Sequence, residues 1–336
     1  MACGRSRGNH GRSVQRSPPM TPAEIRAARA AQPRARARDF AESHGIPEAA
    51  LVAAFTGPEV VAIAADPRRL LPLARELGPA LALTRNRSAV QEREGLYGPL
   101  AEEAGRLRLR GEGIEMLIDP RHWVHAFAVT EPTAKGAKRS VQVFDAAGEA
   151  VHKIHLVADS RSEAFDRLVA ELRLAEQVDS VPFAAVAPGP AAGPADWRQM
   201  PADLFAARLA AEGQRAPDRL AELPEVRVLR PEAMTELLER SAIAAVPLEI
   251  RGGTAGCLQI FRGQVARILP AGYWINVMDP AYNLHLRTDH LAGVFLTDRR
   301  PEGALSVEAY DATGSLILTV TGGAGWESVV AALSAA

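Results

Sequence analysis

The chain spells one hairpin twice, as SVQVFDAAGEAVHKIHL at 140–156 and SVEAYDATGSLILTVTG at 306–322. Both copies run Ser-Val-x-x-aromatic-Asp-Ala-x-Gly and then continue as an alternating apolar strand. That is the pattern of a strand, a tight glycine turn and a returning strand. If the rest of the chain keeps the same offset, the fold is restricted to an internal duplication. It does. Gln91 and Gly95 answer Gln259 and Gly263, and Phe127 answers Phe295, all 168 positions apart. DPRRLLPLAREL (66–77) resembles RPEAMTELLERS (230–241) at an offset of 164, and FDRLVAEL (165–172) resembles WESVVAAL (326–333) at 161. The offset drifts as it would if loops had gained and lost residues, and the matches keep one order.

A length of 336 residues gives each copy about 150, enough for a core of its own. A net charge of −1 supplies no global field that would draw the chain to nucleic acid or a membrane surface. Only three of the 39 basic residues are lysine (Lys135, Lys138, Lys153), which beside the abundant alanine reads as base composition. Cys3 and Cys257 make neither a disulfide framework nor a metal quartet, as expected of a chain kept in a reducing cytosol. No apolar stretch reaches the length of a membrane span. Residues 1–19 are rich in Arg and Ser without the apolar core of a secretory signal. They are expected to be a disordered or mis-annotated extension, with the start at Met20.

The expected layout is a first repeat over 20–178, a Pro/Gly/Ala linker over 179–196 and a second repeat over 197–336. Within each repeat, helical spacing comes first, with proline at starts and glycine near stops. Period-two alternation follows from about Leu81 and from Ala245, and a last helix closes the unit. Helices segregated from a run of antiparallel strands make an α+β fold: a tandem duplication with a ligand cleft between the repeats.

Catalytic motifs do not stand out. GxSxG, HExxH and P-loop signatures are absent from the sequence. RGGTAG (251–256) lacks the following Lys-Ser/Thr and reads as a hairpin or bulge. His122 and His125, His152 and His155, and His285 and His290 each sit in segments read as extended. In a strand, a spacing of three or five puts side chains on opposite faces, so these pairs do not chelate one ion. They are expected to be polar or half-buried strand positions, and His44, before Gly45, a helix terminus.

GYWINVMDPAYNLHLRTDHLAGVFLTDRRP (272–301) resembles the C-terminal repeat of the HemS/ChuX haemin-degrading family. That family carries a similar Trp-(Leu/Ile)-Asn-Val-x-(Asp/Asn)-Pro, an Asn-Leu-His-Leu-Arg and an Arg-Lys-Pro in this order. LTRNRSAVQE (83–92) and DWRQM (196–200) look like the family's Arg-Asn-x-x-Ala-Val and Trp-Arg segments. The resemblance implies two large antiparallel sheets with flanking helices, and haem held in the cleft between the repeats. It also implies a cytoplasmic protein of bacterial haem uptake and iron acquisition, with a haem oxygenase or an uptake permease as partner. Arg85 matches an arginine that reaches the haem pocket in relatives. Arg251, Arg262, Arg299 and Arg300 are candidate propionate partners on chemical grounds. Met200 is a candidate substitute ligand to the iron.

One departure matters. The family's axial histidine follows the Trp-Arg opening by about one and a half helical turns. Here WRQMPADLFAARL offers none, and Leu204 stands nearest that position. Three readings are therefore open: a haem carrier without the usual ligand, a module for another tetrapyrrole or planar ligand or for a protein partner, and an enzyme of oxidative ring opening. The first predicts a high-spin, five-coordinate or water-ligated ferric complex.

Overall fold

A computed structural model of the chain describes residues 20–103, 105–134, 136–186, 196–301 and 303–336. The 1–19 extension and residues 187–195 of the linker lie outside them. The first repeat opens with α1 (Pro22–Ala31), α2 (Ala37–His44), α3 (Glu48–Ala53), strand β1 (Val60–Ile63) and α4 (Pro67–Glu76). It continues through β2 (Pro79–Arg85), β3 (Ala89–Leu96), β4 (Leu100–Glu103), β5 (Arg106–Arg110), β6 (Glu115–Ile118), β7 (His125–Thr133), β8 (Gly136–Phe144) and β9 (Ala150–Leu156), and closes with α5 (Ser162–Leu172). The second repeat brings α6 (Ala202–Ala211), α7 (Ala216–Leu220), β10 (Val226–Leu229) and α8 (Ala233–Ile243). Strands β11 (Leu248–Thr254), β12 (Cys257–Gly263), β13 (Ile268–Ala271), β14 (Trp274–Asp279), β15 (Tyr282–Arg287), β16 (Gly293–Asp298), β17 (Leu305–Tyr310) and β18 (Leu316–Gly322) follow, then α9 (Trp326–Ala331).

Local chemistry accounts for the boundaries. Thr21 and Glu24 form a capping box at the start of α1: Glu24 N–H donates to Thr21 Oγ1 at 3.3 Å and Thr21 N–H donates to Glu24 Oε2 at 2.7 Å. The two copies of the duplicated hairpin turn identically. Asp145 Oδ1 accepts from the N–H of Ala147 (2.9 Å) and Glu149 (3.0 Å); Asp311 Oδ1 accepts from Thr313 (2.8 Å) and Ser315 (3.0 Å). Gly148 (φ 80°) and Gly314 (φ 86°) supply the left-handed residue each turn requires. Gln91 and Gln259 both occupy the third position of equivalent strands β3 and β12, as Phe127 and Phe295 do in β7 and β16.

The α+β duplication therefore stands, with one feature that periodicity did not reveal. The first sheet runs β1-β7-β8-β9-β2-β3-β15-β14-β13 and the second β10-β16-β17-β18-β11-β12-β6-β5-β4, each strand antiparallel to its neighbours. Each repeat lends its three middle strands to the other's sheet. The seams are equivalent, with Gln91 of β3 opposite Leu284 of β15 and Gln259 of β12 opposite Met116 of β6. Cores do not follow the hydrogen bonds. Leu109, Met116 and Ile118 lie in the second sheet yet are buried with Leu70, Leu71 and Leu168 of the first repeat's α4 and α5. Each such leucine, fully buried, contributes about 1.5–3 kcal/mol. Where the halves meet, Gln91 Nε2 donates to the carbonyls of Gly252 (3.1 Å) and Gln259 (3.2 Å), and Tyr282 Oη–H donates to Gln91 Oε1 at 2.9 Å.

β1 and β10, edge strands of four residues, were not expected. His122 and His290 do not lie in strands either. They end one-turn 3-10 helices, Pro120–His122 and Thr288–His290, 168 positions apart. Trp197–Gln199 forms a 3-10 turn, and α6 starts only after Pro201.

Candidate functional site

Both seams carry a cavity flanked by helices. At the first, α2 and the start of α3 face the β2–β3 turn and β14–β15 across a cleft of about 1140 Å³. Its floor is charged. Glu48 is 4% exposed at the head of α3, between the Arg85 guanidinium, with which it forms an ion pair, and Lys153 Nζ at 2.5 Å. Burial works against the charge on Glu48, but Lys153 and Arg85 outweigh it and hold the carboxyl below its ordinary range. Arg38, on α2, is lowered by burial and then by the charge of Arg85. Two cations share this one carboxylate on the floor, while the lining as a whole balances six basic against six acidic side chains. The walls carry Leu83, Val90, Leu291 and Trp274, whose ring lies 5.3 Å from the Arg287 guanidinium. His290 lines the same cleft, its Nδ1 3.1 Å from the hydroxyl of buried Ser88.

At the second seam, the Trp197 turn and the start of α6 pack over β11, β17 and β18, leaving a cavity of about 280 Å³. Arg106 of the lent strand β5 reaches Asp203 of α6 at 2.7 Å, so both repeats meet here too. Arg299 is 4% exposed and lines the cavity. Its Nη1 forms an ion pair with Glu308 and donates to Thr297 Oγ1 at 2.7 Å, while its guanidinium lies 5.0 Å from the Trp197 ring and 5.9 Å from that of Phe205. Nε and Nη2 are buried with no hydrogen-bond partner. An unpaired buried donor costs about 1–3 kcal/mol, and this edge is the fork that grips a carboxylate side-on.

The candidate residues therefore divide. Arg299, Arg251 and Met200 line the second-seam cavity, and Leu204 lies on the adjoining α6. Met200 is 2% exposed and packs in an apolar cluster with Phe205, Leu209, Phe295 and Tyr310. Arg85 lies at the other seam. Arg300 lines neither cavity: it pairs with Asp298 at 2.7 Å and with Glu327 of α9. Arg262 is tied to Glu115 and Glu249 beyond the cavity wall. The residue missed was His290, whose one-turn helix was read as strand. Of the other histidines, His285 Nδ1 lies 2.7 Å from Asn276 Oδ1. His152 is buried between Tyr97 Oη (2.7 Å) and Thr84 Oγ1 (2.9 Å), and burial pushes it down to about 3. Among the described residues there is no cluster of three or more His, Cys, Asp or Glu side chains able to hold a metal ion, and no helix long and apolar enough to cross a membrane.

Comparisons with known proteins extend this geometry. A family model described as the haemin-degrading HemS.ChuX domain matches twice, over residues 45–172 and 214–333. The hemin transport protein HmuS of Yersinia pestis is 29% identical over 310 residues, covering 88% of this chain and 89% of its own. The crystal structure of holo-PhuS, a heme-binding protein from Pseudomonas aeruginosa, superposes with a TM-score of 0.85 at 32% identity, over 94% of this chain and 100% of that one. ChuS, described as an E. coli heme oxygenase, shares the fold, with a TM-score of 0.80 at 23% identity, over 91% of this chain and 98% of its own.

Proposed function

The chain belongs to the haemin-degrading HemS/ChuX family, and on that premise we propose that it binds haem as cargo in bacterial haem acquisition. The observation that carries this reading is the likeness, along nearly the whole chain, to a heme-binding protein captured with its ligand. Delivery in the cytoplasm to a haem oxygenase is the finer form of the proposal. A module for some other planar ligand has no observation of its own in its favour.

Haem is an apolar plane with two propionates and an iron that takes an axial side chain. The second-seam cavity suits the first two needs. Met200, Leu258 and Leu316 offer apolar wall, and the unpaired edge of Arg299 fits a propionate, with Arg251, Thr319 and Thr321 around it. The third need goes unmet on α6, where Leu204 replaces the imidazole. At about 280 Å³ the cavity falls just short of the roughly 300–1,000 Å³ of small-molecule sites.

The test is a haem titration followed by absorption spectroscopy. Arg299→Lys keeps a cation for Glu308 but removes the fork, and is expected to weaken one equivalent about 10-fold or more, the value of one charge-assisted hydrogen bond. Leu204→His is expected to tighten that equivalent and to add an imidazole-ligated spectrum. A wild-type chain that gives no haem spectrum at micromolar concentrations refutes the function, and indifference to Arg299→Lys refutes the site.

A further inference from the structure

We propose that the first-seam cleft is itself a site for a carboxylate-bearing tetrapyrrole, with His290 as the ligand to its iron. The class of ligand rests on the haem reading above; the site does not. Because the chain is duplicated and the seams are equivalent, whatever one seam shelters has a counterpart at the other. The counterpart is the roomier one, at about 1140 against 280 Å³.

His290 is set up as a metal ligand sets up its second nitrogen. Ligating imidazoles almost always give their other ring N–H to a fixed acceptor, which holds the tautomer and the ring. Here Nδ1 faces Ser88 Oγ, a 2%-exposed hydroxyl on the β2–β3 turn, and in the tautomer that donates Nδ1–H to it Nε2 keeps the lone pair for iron. The corresponding turn at the other seam ends in His122, which is buried 3.9 Å from Asp119 and lines neither cavity. Only one of the duplicated histidines is left open to a ligand. Around His290 stand the parts a porphyrin needs: Leu83, Val90, Leu291 and the Trp274 ring for its faces, and Arg85 and Lys153, two cations that share the single carboxylate of Glu48, as partners for a ligand carboxylate.

The experiment titrates the full chain, as wild type, His290→Ala and Arg299→Lys, with ferric haem and with iron-free protoporphyrin IX. Wild type is expected to take two equivalents of haem. His290→Ala should weaken one of them at least 10-fold and abolish the iron–histidine stretch in the resonance Raman spectrum of the ferrous complex. Protoporphyrin, which has no iron to ligate, should bind His290→Ala with unchanged stoichiometry, showing that the cleft is still folded. A haem stoichiometry and an iron–histidine stretch that both survive His290→Ala overturn the inference. A single equivalent lost with His290→Ala and indifferent to Arg299→Lys sustains this site and removes the one at the second seam. No haem bound by wild type overturns both.

Discussion

His152 shows most directly how burial sets a residue's behaviour. It is 1% exposed, stacked 6.2 Å from the Trp123 ring and bonded on both nitrogens, and burial depresses it to about 3; His155, on the opposite face of β9, is lowered to about 4, first by burial and then by Lys153. A histidine near 6.5 when unfolded and far below that when folded binds its proton only after unfolding. Its contribution is complete above pH 6.5 and fades as pH falls toward 3. The melting temperature should therefore drop from pH 7 to pH 5.5, a window above most carboxylate titration, with His152 alone removing on the order of 1 kcal/mol. His152→Gln should melt lower at pH 7, having lost Tyr97 and Thr84, yet lose less on acidification. Parallel curves for the two proteins would show that His152 does not govern the slope. None of this is legible in the sequence. HKIH fixes two opposite faces, but which face is dry depends on Tyr97, fifty-five positions away, and on its hydroxyl, which meets the imidazole. Arg85 and Arg299 read alike as free cations, whereas both are ion-paired, with Glu48 and Glu308, and Arg299 alone of the two keeps an unpaired buried edge.

Elements were more readable where a local rule dictates them. The capping box at Thr21 and Glu24 and the Asp-x-x-Gly turns of the duplicated hairpin depend on residues within four positions of each other. Asp145→Ala and Asp311→Ala should each cost about 1–2 kcal/mol in chemical denaturation, two backbone hydrogen bonds at roughly 0.5–1.5 kcal/mol apiece less some replacement by water. Near-equality is the point of the test, Asp311 accepting one further bond, from the exposed Thr313 Oγ1 at 2.6 Å. A neutral Asp145→Ala beside a costly Asp311→Ala would mean that the two turns no longer share their chemistry. Failures came where an element is too short for its period to register. β1 and β10 have four residues each, and the turns ending in His122 and His290 have three, which alternation cannot tell from strand. That single misreading hid the one imidazole lining the larger cleft.

At the scale of the molecule, period-two patterning shows which residues of β4–β6 face a core and says nothing about whose sheet they join, since the alternation is the same in either. The exchange has a direct test. A chain ending near residue 186 leaves β3 an unpaired edge and β4–β6 without a sheet, and a second copy supplies both, because the seams are equivalent. This first half should run as a dimer in light scattering, and mixing it with the second half, refolded together, should yield heterodimers. A folded monomer would show that the lent strands fold back onto their own sheet. The same exchange bears on synthesis. The first sheet takes its last strands from 268–287, whereas its helices and its other strands are complete by 172. At about 5–20 residues per second, the ribosome holds the nascent first repeat with an open edge for on the order of ten seconds. For that interval the emerging polypeptide has to be shielded from its neighbours on the polysome, whose identical edges offer the pairing that its own second half has yet to deliver.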